Sequence, residues 1–332
     1  MSSLPRIAII GSGSWATALA KLLLNNTDRL NWFTRKDEDV DYMKTFGTNP
    51  RYLSSVEFDV SKISFYTSLG NCVENSDYLI LAIPSAFLHE VFSAIDQKQL
   101  KDKIIFSAIK GIVPQHNLIV GEYLNKIYDV PLKNIGVITG PCHAEEVALE
   151  KLSYLTIASI NAPNAQTLSN LLNCRYLKSI VSDDIYGTEY SAVLKNVIAV
   201  AGGICHGLGY GDNFLAVLVS NAIQEIKRFV DAVHPINRDI NASAYLGDLL
   251  VTAYSQFSRN RMFGTMLGKG YSVKQAQLEM NMVAEGFYAV KCVYEINKNY
   301  KVNMPITEAV YKIIYQGQDV RKEIVSLSNN LS

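Results

Sequence analysis

A lysine and an asparagine stand side by side within an apolar stretch of the sequence. Lys195 and Asn196 belong to the segment SAVLKNVIAVAGG, residues 191–203, and most of their neighbours are apolar. Burying an ammonium group without a partner is costly, so this pair needs a reason to be there. A desolvated lysine has a lowered pKa and can act as a general acid or base near neutral pH. The alternative interpretation of Lys195 is a structural ion pair between helices.

Other candidate residues follow in the second half of the chain. Asp248 stands inside the apolar stretch LGDLLVT, and the segment SRNR, residues 258–261, combines serine, arginine and asparagine. Such a set of charged and neutral donors can bind a phosphate group. Glu285 has apolar neighbours and precedes Gly286, so it could contact a cofactor or form a pair within the fold.

A glycine-rich motif opens the chain. The segment IIGSGSWATALA places Gly11, Gly13 and Ala16 directly after an apolar run and at the start of a helical pattern. This G-x-G-x-x-A spacing allows a tight turn, a close approach of the backbone to a pyrophosphate, and close packing of helix on strand. The helix N-terminus then offers N–H groups to the phosphates. The motif predicts dinucleotide binding, although small residues also occur in purely structural turns.

The end of the second apolar run bears on which dinucleotide is bound. An acidic residue there would bind the ribose 2′-hydroxyl of NAD, whereas an arginine can accommodate the 2′-phosphate of NADP. The sequence has Arg35 in this window and no carboxylate. Arg35 therefore favours NADP, unless it is only a solvated surface charge.

Polar residues follow two further strands of the predicted sheet. The run FSAIKG leads to Lys110, and VITGPCHAEEVA leads to Gly140 and Pro141 before a helix begins near His143. Ligands of an open α/β sheet bind outside the carboxyl ends of its strands. Lys110 is thus a candidate site residue, with an ordinary solvent-facing lysine as the alternative.

The pattern of apolar residues predicts the fold that positions these groups. Short apolar runs alternate with helical spacing in the first half and predict strands at 6–11, 30–35, 77–84, 103–111, 135–141, 154–159 and 176–182. Such a pattern indicates a doubly wound, mostly parallel Rossmann-type sheet, to which the last two runs could be antiparallel or edge additions. Beyond residue 184 the spacing is helical. We expect a dinucleotide-binding domain over 1–184 and an all-helical substrate and catalytic domain over 185–332.

Composition and charge limit the classes of function that we expect for this chain. The chain has 332 residues, 48% of them hydrophobic, and a formal net charge of +0, so no global field favours nucleic acid or an anionic membrane. Its five cysteines are scattered, which suits reduced thiols in a cytoplasm. The histidines show no metal-ligand spacing, and neither a signal peptide nor a membrane-spanning run is expected.

Taken in order, these motifs resemble the bacterial NAD(P)-dependent glycerol-3-phosphate dehydrogenases. The resemblance rests on GSGSWATALA, AIPS, IKG, TGPCHAEEVA, AVLKNVIAVAGGICHGLGYGDN, GDLLVTAYSQFSRNRMFG, AEGFYAV and MPITEAVY, from about residue 5 to about 316. It implies interconversion of dihydroxyacetone phosphate and sn-glycerol 3-phosphate with NADH or NADPH, and a role in phospholipid synthesis. It also implies a cytoplasmic homodimer.

The resemblance assigns roles to individual residues. Lys195 would be the general base of the oxidation, Asp248 its acidic partner, and Lys110 a third catalytic residue. The implied cofactor contacts are Gly11, Gly13, Ser14, Trp15, Arg35, Lys110, Ala144, Arg259, Val283 and Glu285. The implied substrate contacts are Lys110, Gly140, Cys142, Lys195, Asn196, Asp248, Ser258, Arg259 and Asn260. Lys195 and Asn196 would then face a cleft between the domains.

The sequence departs from the family pattern at Cys142, at Ala16, which replaces the common third glycine, and in NASAYLGDLL, which has fewer glycines before Asp248 than most members. Cys142 stands where serine or threonine is usual, and a thiol is the weaker hydrogen-bond donor.

Two other functions compete with this family. A 3-hydroxyacid or 6-phosphogluconate-type dehydrogenase would share the fold and a catalytic lysine, but the SRNRMFG and GDLLVT segments argue against it. A catalytically silent nucleotide sensor would lack the catalytic residues, which are all present.

Overall fold

A computed structural model of the chain describes residues 4–255, 258–280 and 284–332. Val283, one of the predicted cofactor contacts, lies outside these residues. The chain forms two compact units. Unit 1 comprises residues 1–109 and 120–185, and unit 2 comprises residues 110–119 and 186–332.

Unit 1 is built on one eight-stranded sheet in the order β10-β9-β8-β5-β4-β1-β2-β3. Its strands are β1 (Ile7–Ile10), β2 (Leu30–Phe33), β3 (Ile63–Tyr66), β4 (Tyr78–Leu81), β5 (Ile104–Ser107), β8 (Ile135–Thr139), β9 (Ser153–Ala158) and β10 (Leu177–Ser182). β1 and β4 are buried at every position, as the continuous apolar runs predict. The predicted fold class, a mostly parallel Rossmann-type sheet, is confirmed.

The sheet is not purely parallel at the edge formed by β9 and β10. β9 pairs antiparallel with β8, and β10 then runs parallel to β9. The expectation of antiparallel or edge additions after residue 150 was therefore correct. At the opposite edge lies β3, a strand that the sequence did not reveal because only Ile63 is buried and the apolar run is short.

In the described part of unit 1 there are eight helices: α1 (Ser14–Leu23), α2 (Asp37–Phe46), α3 (Leu69–Glu74), α4 (Ser85–Phe92), α5 (Gln97–Leu100), α6 (Val120–Tyr128), α7 (Ala144–Ala148) and α8 (Ala162–Leu172). Two short 3-10 turns, Val60–Lys62 and Leu132–Asn134, precede β3 and β8. The buried face of α1 packs into a core that also contains Ile7, Ile9 and Trp32.

The described residues of unit 2 form helices, one π-helical turn and one hairpin. Its strands are β6 (Ile112–Val113) and β7 (Leu118–Ile119). Its helices are α9 (Ile185–Gly207), α10 (Asp212–Val233), α11 (Asp248–Tyr254), α12 (Arg259–Gly268), α13 (Val273–Glu279), α14 (Glu285–Tyr300), α15 (Pro305–Tyr315) and α16 (Val320–Ser328). A π-helical turn, Ser243–Gly247, precedes α11.

The hairpin belongs to unit 2 although it lies within residues 1–184 of the sequence-based division. Ile112 and Ile119 are fully buried in the core of unit 2, together with residues of α9, α10, α14 and α15. Apolar burial therefore groups residues 110–119 with the helices.

Helices α9 and α12 approach to backbone contact along a row of glycines. A Cβ on Gly203 would stand 2.1 Å from the carbonyl oxygen of Arg261, and one on Gly264 would stand 2.1 Å from that of Val200. Gly207 and Gly268 extend the contact by another turn. Only glycine allows such an approach, so this glycine seam fixes the distance between the two helices.

Among the described residues, no helix is both long enough and apolar enough to cross a membrane. Nor does this part of the chain hold a group of three or more His, Cys, Asp or Glu side chains arranged for a metal ion.

Candidate active site

A buried carboxylate in unit 2 accepts hydrogen bonds from two lysines. Asp248 is the first residue of α11 and is 1% exposed. Its Oδ1 receives a bond from Nζ of Lys195, in the middle of α9, and lies 3.5 Å from Nζ of Lys110. Three predicted catalytic residues thus meet around one oxygen atom.

The environment of Lys195 changes its acidity. Burial is the main cause that lowers the pKa of Lys195 from its ordinary value to about 7. The negative charge of Asp248 opposes this shift, and the positive charge of Lys110 adds to it. An amine with a pKa near neutrality exists in both protonation states at physiological pH, as a general acid or base requires.

The backbone around these groups is shaped to present them. The sequence pattern predicts a strand over 103–111 that includes Lys110. In the structure β5 ends at Ser107, so Lys110 lies just beyond the strand. Asp248 follows directly on the π-helical turn Ser243–Gly247. Such turns widen a helix locally and are frequent at functional sites. Thr252 then donates its hydroxyl to the carbonyl of Asp248 at 2.8 Å, one turn into α11.

A chain of amides, which we call the amide relay, links four segments of unit 2. The N–H of Gly286 donates to Oδ1 of Asn260 at 2.9 Å. Nδ2 of Asn260 donates to Oδ1 of Asn196 at 2.9 Å, and Nδ2 of Asn196 donates to the carbonyl of Lys110 at 2.7 Å. Asn196 and Asn260 are 5% and 8% exposed.

The two ends of the amide relay fix its direction. A backbone N–H at Gly286 can only donate, and a backbone carbonyl at Lys110 can only accept. Both side-chain amides must therefore point their oxygens toward Gly286 and their nitrogens toward Lys110. Each NH₂ group has two hydrogens, so each keeps one donor beyond its bond in the relay.

Glycines allow the helices that carry the amide relay to approach closely enough for its hydrogen bonds to form. Asn260 lies one helical turn before Gly264 on the same face of α12, and the glycine seam draws that face against α9. Gly286 packs against α9 as well, because a Cβ there would stand 2.6 Å from the carbonyl oxygen of Asn196. Gly286 had been noted only as the neighbour of Glu285, and its contribution is a backbone N–H that no motif reveals.

Two further predicted residues lie at the N-terminus of α12. Ser258 is the N-cap, 6% exposed, and its Oγ accepts a bond from the N–H of Arg261 at 3.3 Å. Arg259 is the first residue of the helix. The positive end of the helix and the guanidinium group together suit an anion. Glu285 occupies the corresponding first position of α14.

The glycine-rich turn of unit 1 has the form that a dinucleotide requires. Gly11 has a φ of +123°, and a Cβ there would stand 2.5 Å from the carbonyl oxygen of Ala82. Gly13, by contrast, has no heavy atom within 4 Å of the position of a Cβ, so its backbone faces open space. α1 begins at Ser14, and its N-terminal N–H groups have no intrahelical partner. These residues therefore fit a pyrophosphate group.

Two other predicted cofactor contacts flank this turn. Trp15 packs against the core of unit 1. Arg35 follows β2, has a side chain that is 60% exposed, and lies over the ring of Phe87 at 6.0 Å. Its Nη1 is 3.9 Å from a carboxylate oxygen of Glu90. An exposed guanidinium held against a ring is available to a phosphate group of a bound nucleotide.

The residues after β8 form a second tight turn in unit 1. Gly140 has a φ of +126°, and a Cβ there would stand 2.8 Å from the carbonyl oxygen of Tyr154. Sγ of Cys142 donates to that same carbonyl at 3.1 Å. The thiol thus has a partner within the protein. Ala144 is the first residue of α7 and is buried.

Comparison with known proteins decides the family. The model of the NAD-dependent glycerol-3-phosphate dehydrogenase N-terminus matches residues 6–165, and that of the C-terminus of the same enzyme matches residues 184–325. The chain belongs to the NAD-dependent glycerol-3-phosphate dehydrogenase family. The predicted family, its class of enzyme, an oxidoreductase, and its cofactor, NAD(P), are thereby confirmed.

Individual relatives extend over nearly the whole chain. Glycerol-3-phosphate dehydrogenase [NAD(P)+] of Streptococcus agalactiae is 33% identical and covers 98% of this chain and 96% of its own length. That of Clostridium botulinum is 34% identical, covering 97% and 96%. The crystal structure of glycerol-3-phosphate dehydrogenase from Coxiella burnetii superimposes with a TM-score of 0.89 at 30% identity, covering 97% of this chain and 98% of that one.

Proposed function

We propose that this chain interconverts dihydroxyacetone phosphate and sn-glycerol 3-phosphate, with Lys195 as the group that transfers the hydroxyl proton. The observation that carries the proposal is the arrangement of buried Lys195 and partly buried Lys110 around the buried carboxylate of Asp248. Names of relatives that span nearly the whole chain support the choice of substrate.

The reaction needs a proton donor beside a carbon that accepts hydride. When bound, the reduced nicotinamide supplies that hydride to the substrate carbonyl carbon. Lys195, protonated, gives a proton to the oxygen as negative charge develops there. In the oxidation, neutral Lys195 takes the proton back. Asp248 holds the Nζ of Lys195 in place and balances its charge during the cycle.

The second lysine and the amide relay complete this arrangement. Lys110 brings a second positive charge, so two ammonium groups and one carboxylate leave a net positive site suited to an anionic substrate. The relay fixes the backbone of Lys110 through Asn196. We assign the substrate phosphate to Ser258, Arg259 and the remaining donor of Asn260 at the N-terminus of α12.

The other assignments follow the family resemblance residue by residue. We assign Gly140, Cys142, Lys195, Asn196 and Asp248 to the substrate. We assign the cofactor to Gly11, Gly13, Ser14, Trp15, Arg35, Ala144, Arg259 and Glu285, with Lys110 contacting both cofactor and substrate.

The proposal also includes the direction of the reaction, the compartment and the oligomeric state. A biosynthetic direction would supply glycerol phosphate for phospholipids. No disulfide joins the five cysteines, all of which lie among the described residues, and this fits a reducing cytoplasm. The homodimer expected from the family resemblance is tested by sedimentation equilibrium, where a monomer at micromolar concentration would refute it.

The decisive assay follows the absorbance of the reduced nicotinamide. We expect the protein to oxidise NADPH or NADH when dihydroxyacetone phosphate is added. The same protein is then assayed for reduction of NAD and NADP by 3-hydroxyacids and by 6-phosphogluconate. Turnover of these compounds without turnover of dihydroxyacetone phosphate would replace the proposed substrate by that of the competing dehydrogenases.

A further inference from the structure

Three consecutive backbone carbonyls of the glycine-rich turn are held by side chains. The carbonyl of Gly11 accepts a bond from Nε1 of Trp32 at 2.7 Å. That of Ser12 accepts one from Nδ2 of Asn49 at 3.0 Å, and that of Gly13 accepts one from the hydroxyl of Thr17 at 3.0 Å. The turn assigned to the cofactor pyrophosphate is therefore held in place at three consecutive carbonyl groups.

Holding these carbonyls in place also sets the direction of the N–H groups of the same peptide units. A peptide group is planar and trans, so its N–H points away from its C=O. Holding the carbonyls of Ser12 and Gly13 against the protein thus orients the N–H groups of Gly13 and Ser14 in the opposite direction. A carbonyl that turned the other way would present a negative oxygen to a phosphate, where a donor is needed.

Asn49 has the largest part in this arrangement. It is 2% exposed, and its Nδ2 donates both to the Ser12 carbonyl and, at 2.9 Å, to the hydroxyl of Thr17. That hydroxyl in turn donates to the carbonyl of Gly13, which also accepts the backbone N–H of Thr17 at 3.0 Å. Asn49 therefore holds the carbonyl of Ser12 directly and supports that of Gly13 through Thr17. Its Oδ1 accepts the N–H groups of Arg51 and Tyr52 at 2.9 and 3.1 Å. All four hydrogen-bonding positions of the amide are used.

We infer that Asn49 is a positioning residue for the cofactor: it sets the affinity for NAD(P) by orienting the glycine-rich turn. Asn49 follows α2 and lies more than thirty residues beyond the turn, so the G-x-G-x-x-A spacing does not include it. The inference rests on the proposed assignment of this turn to the cofactor pyrophosphate.

The test compares two Asn→Asp variants within unit 1. Asn49→Asp keeps an oxygen for the N–H groups of Arg51 and Tyr52, but it removes both donors and places a carboxylate against the carbonyl of Ser12. Asn31→Asp is the matched control, because Nδ2 of Asn31 also donates two bonds, to the carbonyl of Asn75 and the hydroxyl of Ser76, both at 2.9 Å.

The main readout is the equilibrium dissociation constant for NADPH, measured by nicotinamide fluorescence. We expect Asn49→Asp to raise it at least about tenfold, as the loss of buried hydrogen bonds implies, and Asn31→Asp to leave it within about twofold. At saturating NADPH, kcat of Asn49→Asp should stay within about threefold of the native value while KM for NADPH rises. Hydrogen exchange of the unliganded variant should be faster at residues 12–15.

Two outcomes of these measurements would contradict the role assigned to Asn49. A folded Asn49→Asp protein that binds NADPH as the native protein does, or an equal loss of affinity in Asn31→Asp, would overturn the inference. If Asn49→Asp does not fold, Asn49→Ala removes the donor to the carbonyl of Ser12 without placing a charge beside it. We then expect its affinity for NADPH to fall about threefold or more, and unchanged affinity would overturn the inference. Native protein that binds NADPH without reducing dihydroxyacetone phosphate would refute the proposed substrate instead.

Discussion

The glycine-rich turn of unit 1 and the lysine–aspartate cluster of unit 2 hold polar groups by opposite means. In the turn, the groups assigned to the ligand are backbone N–H groups, and buried side chains such as Asn49 and Trp32 fasten the backbone. In the cluster, the groups assigned to the ligand are side chains such as Lys195, and backbone contacts such as the glycine seam hold the helices that carry them.

This difference follows from what each region has to do. A pyrophosphate is bound without being changed, and fixed N–H dipoles bind it without any proton transfer. A hydroxyl that is being oxidised must lose a proton, and a side chain with a pKa near the working pH is well suited to accept it. Substitutions should therefore separate the two regions: changes in the cluster should act on turnover, and changes near the turn on cofactor affinity.

The largest effect is expected from removing the proton-transfer group. Lys195→Ala should lower kcat/KM for dihydroxyacetone phosphate by at least about 100-fold, because the loss of a general acid or base typically costs that much. The dissociation constant for NADPH should change by less than about threefold. Steady-state rates and nicotinamide fluorescence measure the two quantities.

An exposed lysine of unit 2 provides the control for this variant. Lys274 lies on α13 and is exposed to solvent, so Lys274→Ala should leave both quantities unchanged. Full activity of Lys195→Ala would make Lys195 the structural ion-pair partner that the sequence also allowed.

The next effect concerns the packing beneath the cluster. Gly203→Ala would place a Cβ 2.1 Å from the carbonyl oxygen of Arg261 and force α9 and α12 apart. We expect a loss of about 1–3 kcal/mol of stability, typical of overpacking. The thermal midpoint, followed by circular dichroism, should fall by roughly 1–2 °C for each kcal/mol in a chain of this length.

The neighbouring glycine tests this packing argument. A Cβ on Gly202 would meet only the side-chain tip of Leu215, at 3.2 Å. Since alanine is the better helix former, Gly202→Ala should melt at or above the native temperature. Equal destabilisation by both variants would show that the glycine seam is not what holds the two helices together.

A smaller effect is expected at the edge of the cofactor site. Arg35→Ala should raise KM for NADPH by about tenfold and leave KM for NADH nearly unchanged, because the guanidinium is assigned to the 2′-phosphate. The ratio of kcat/KM for the two cofactors measures this directly. A preference that does not change would make Arg35 the solvated surface charge of the alternative interpretation.

The sequence predicted much of the fold, because buried parallel strands and amphipathic helices have strong apolar patterns. It predicted β1 and α1 from RIAIIG and the glycine motif that follows. It failed at β3, where one buried residue leaves no pattern. The packing of Ile112 and Ile119 with distant helices also leaves no mark on the sequence.

The candidate site was predictable to the extent that its residues break a pattern. Lys195 and Asp248 interrupt apolar stretches, and the structure joins them. Asn49 and the N–H of Gly286 could not be found in this way. An asparagine in a loop is unremarkable, and a backbone donor leaves no mark on residue type. Their roles depend on three-dimensional hydrogen bonds alone.

The central claim is that Lys195 transfers the hydroxyl proton, and the pH dependence of both directions tests it most directly. Because the pKa of Lys195 is lowered to about 7, the protonated form is lost as pH rises through that region. For the native enzyme, kcat for reduction of dihydroxyacetone phosphate should fall with rising pH, and kcat for oxidation of glycerol 3-phosphate should rise. Lys195→Ala should lose both dependences. Rates that change in the same sense in both directions, or that keep their pH dependence in the variant, would contradict the claim.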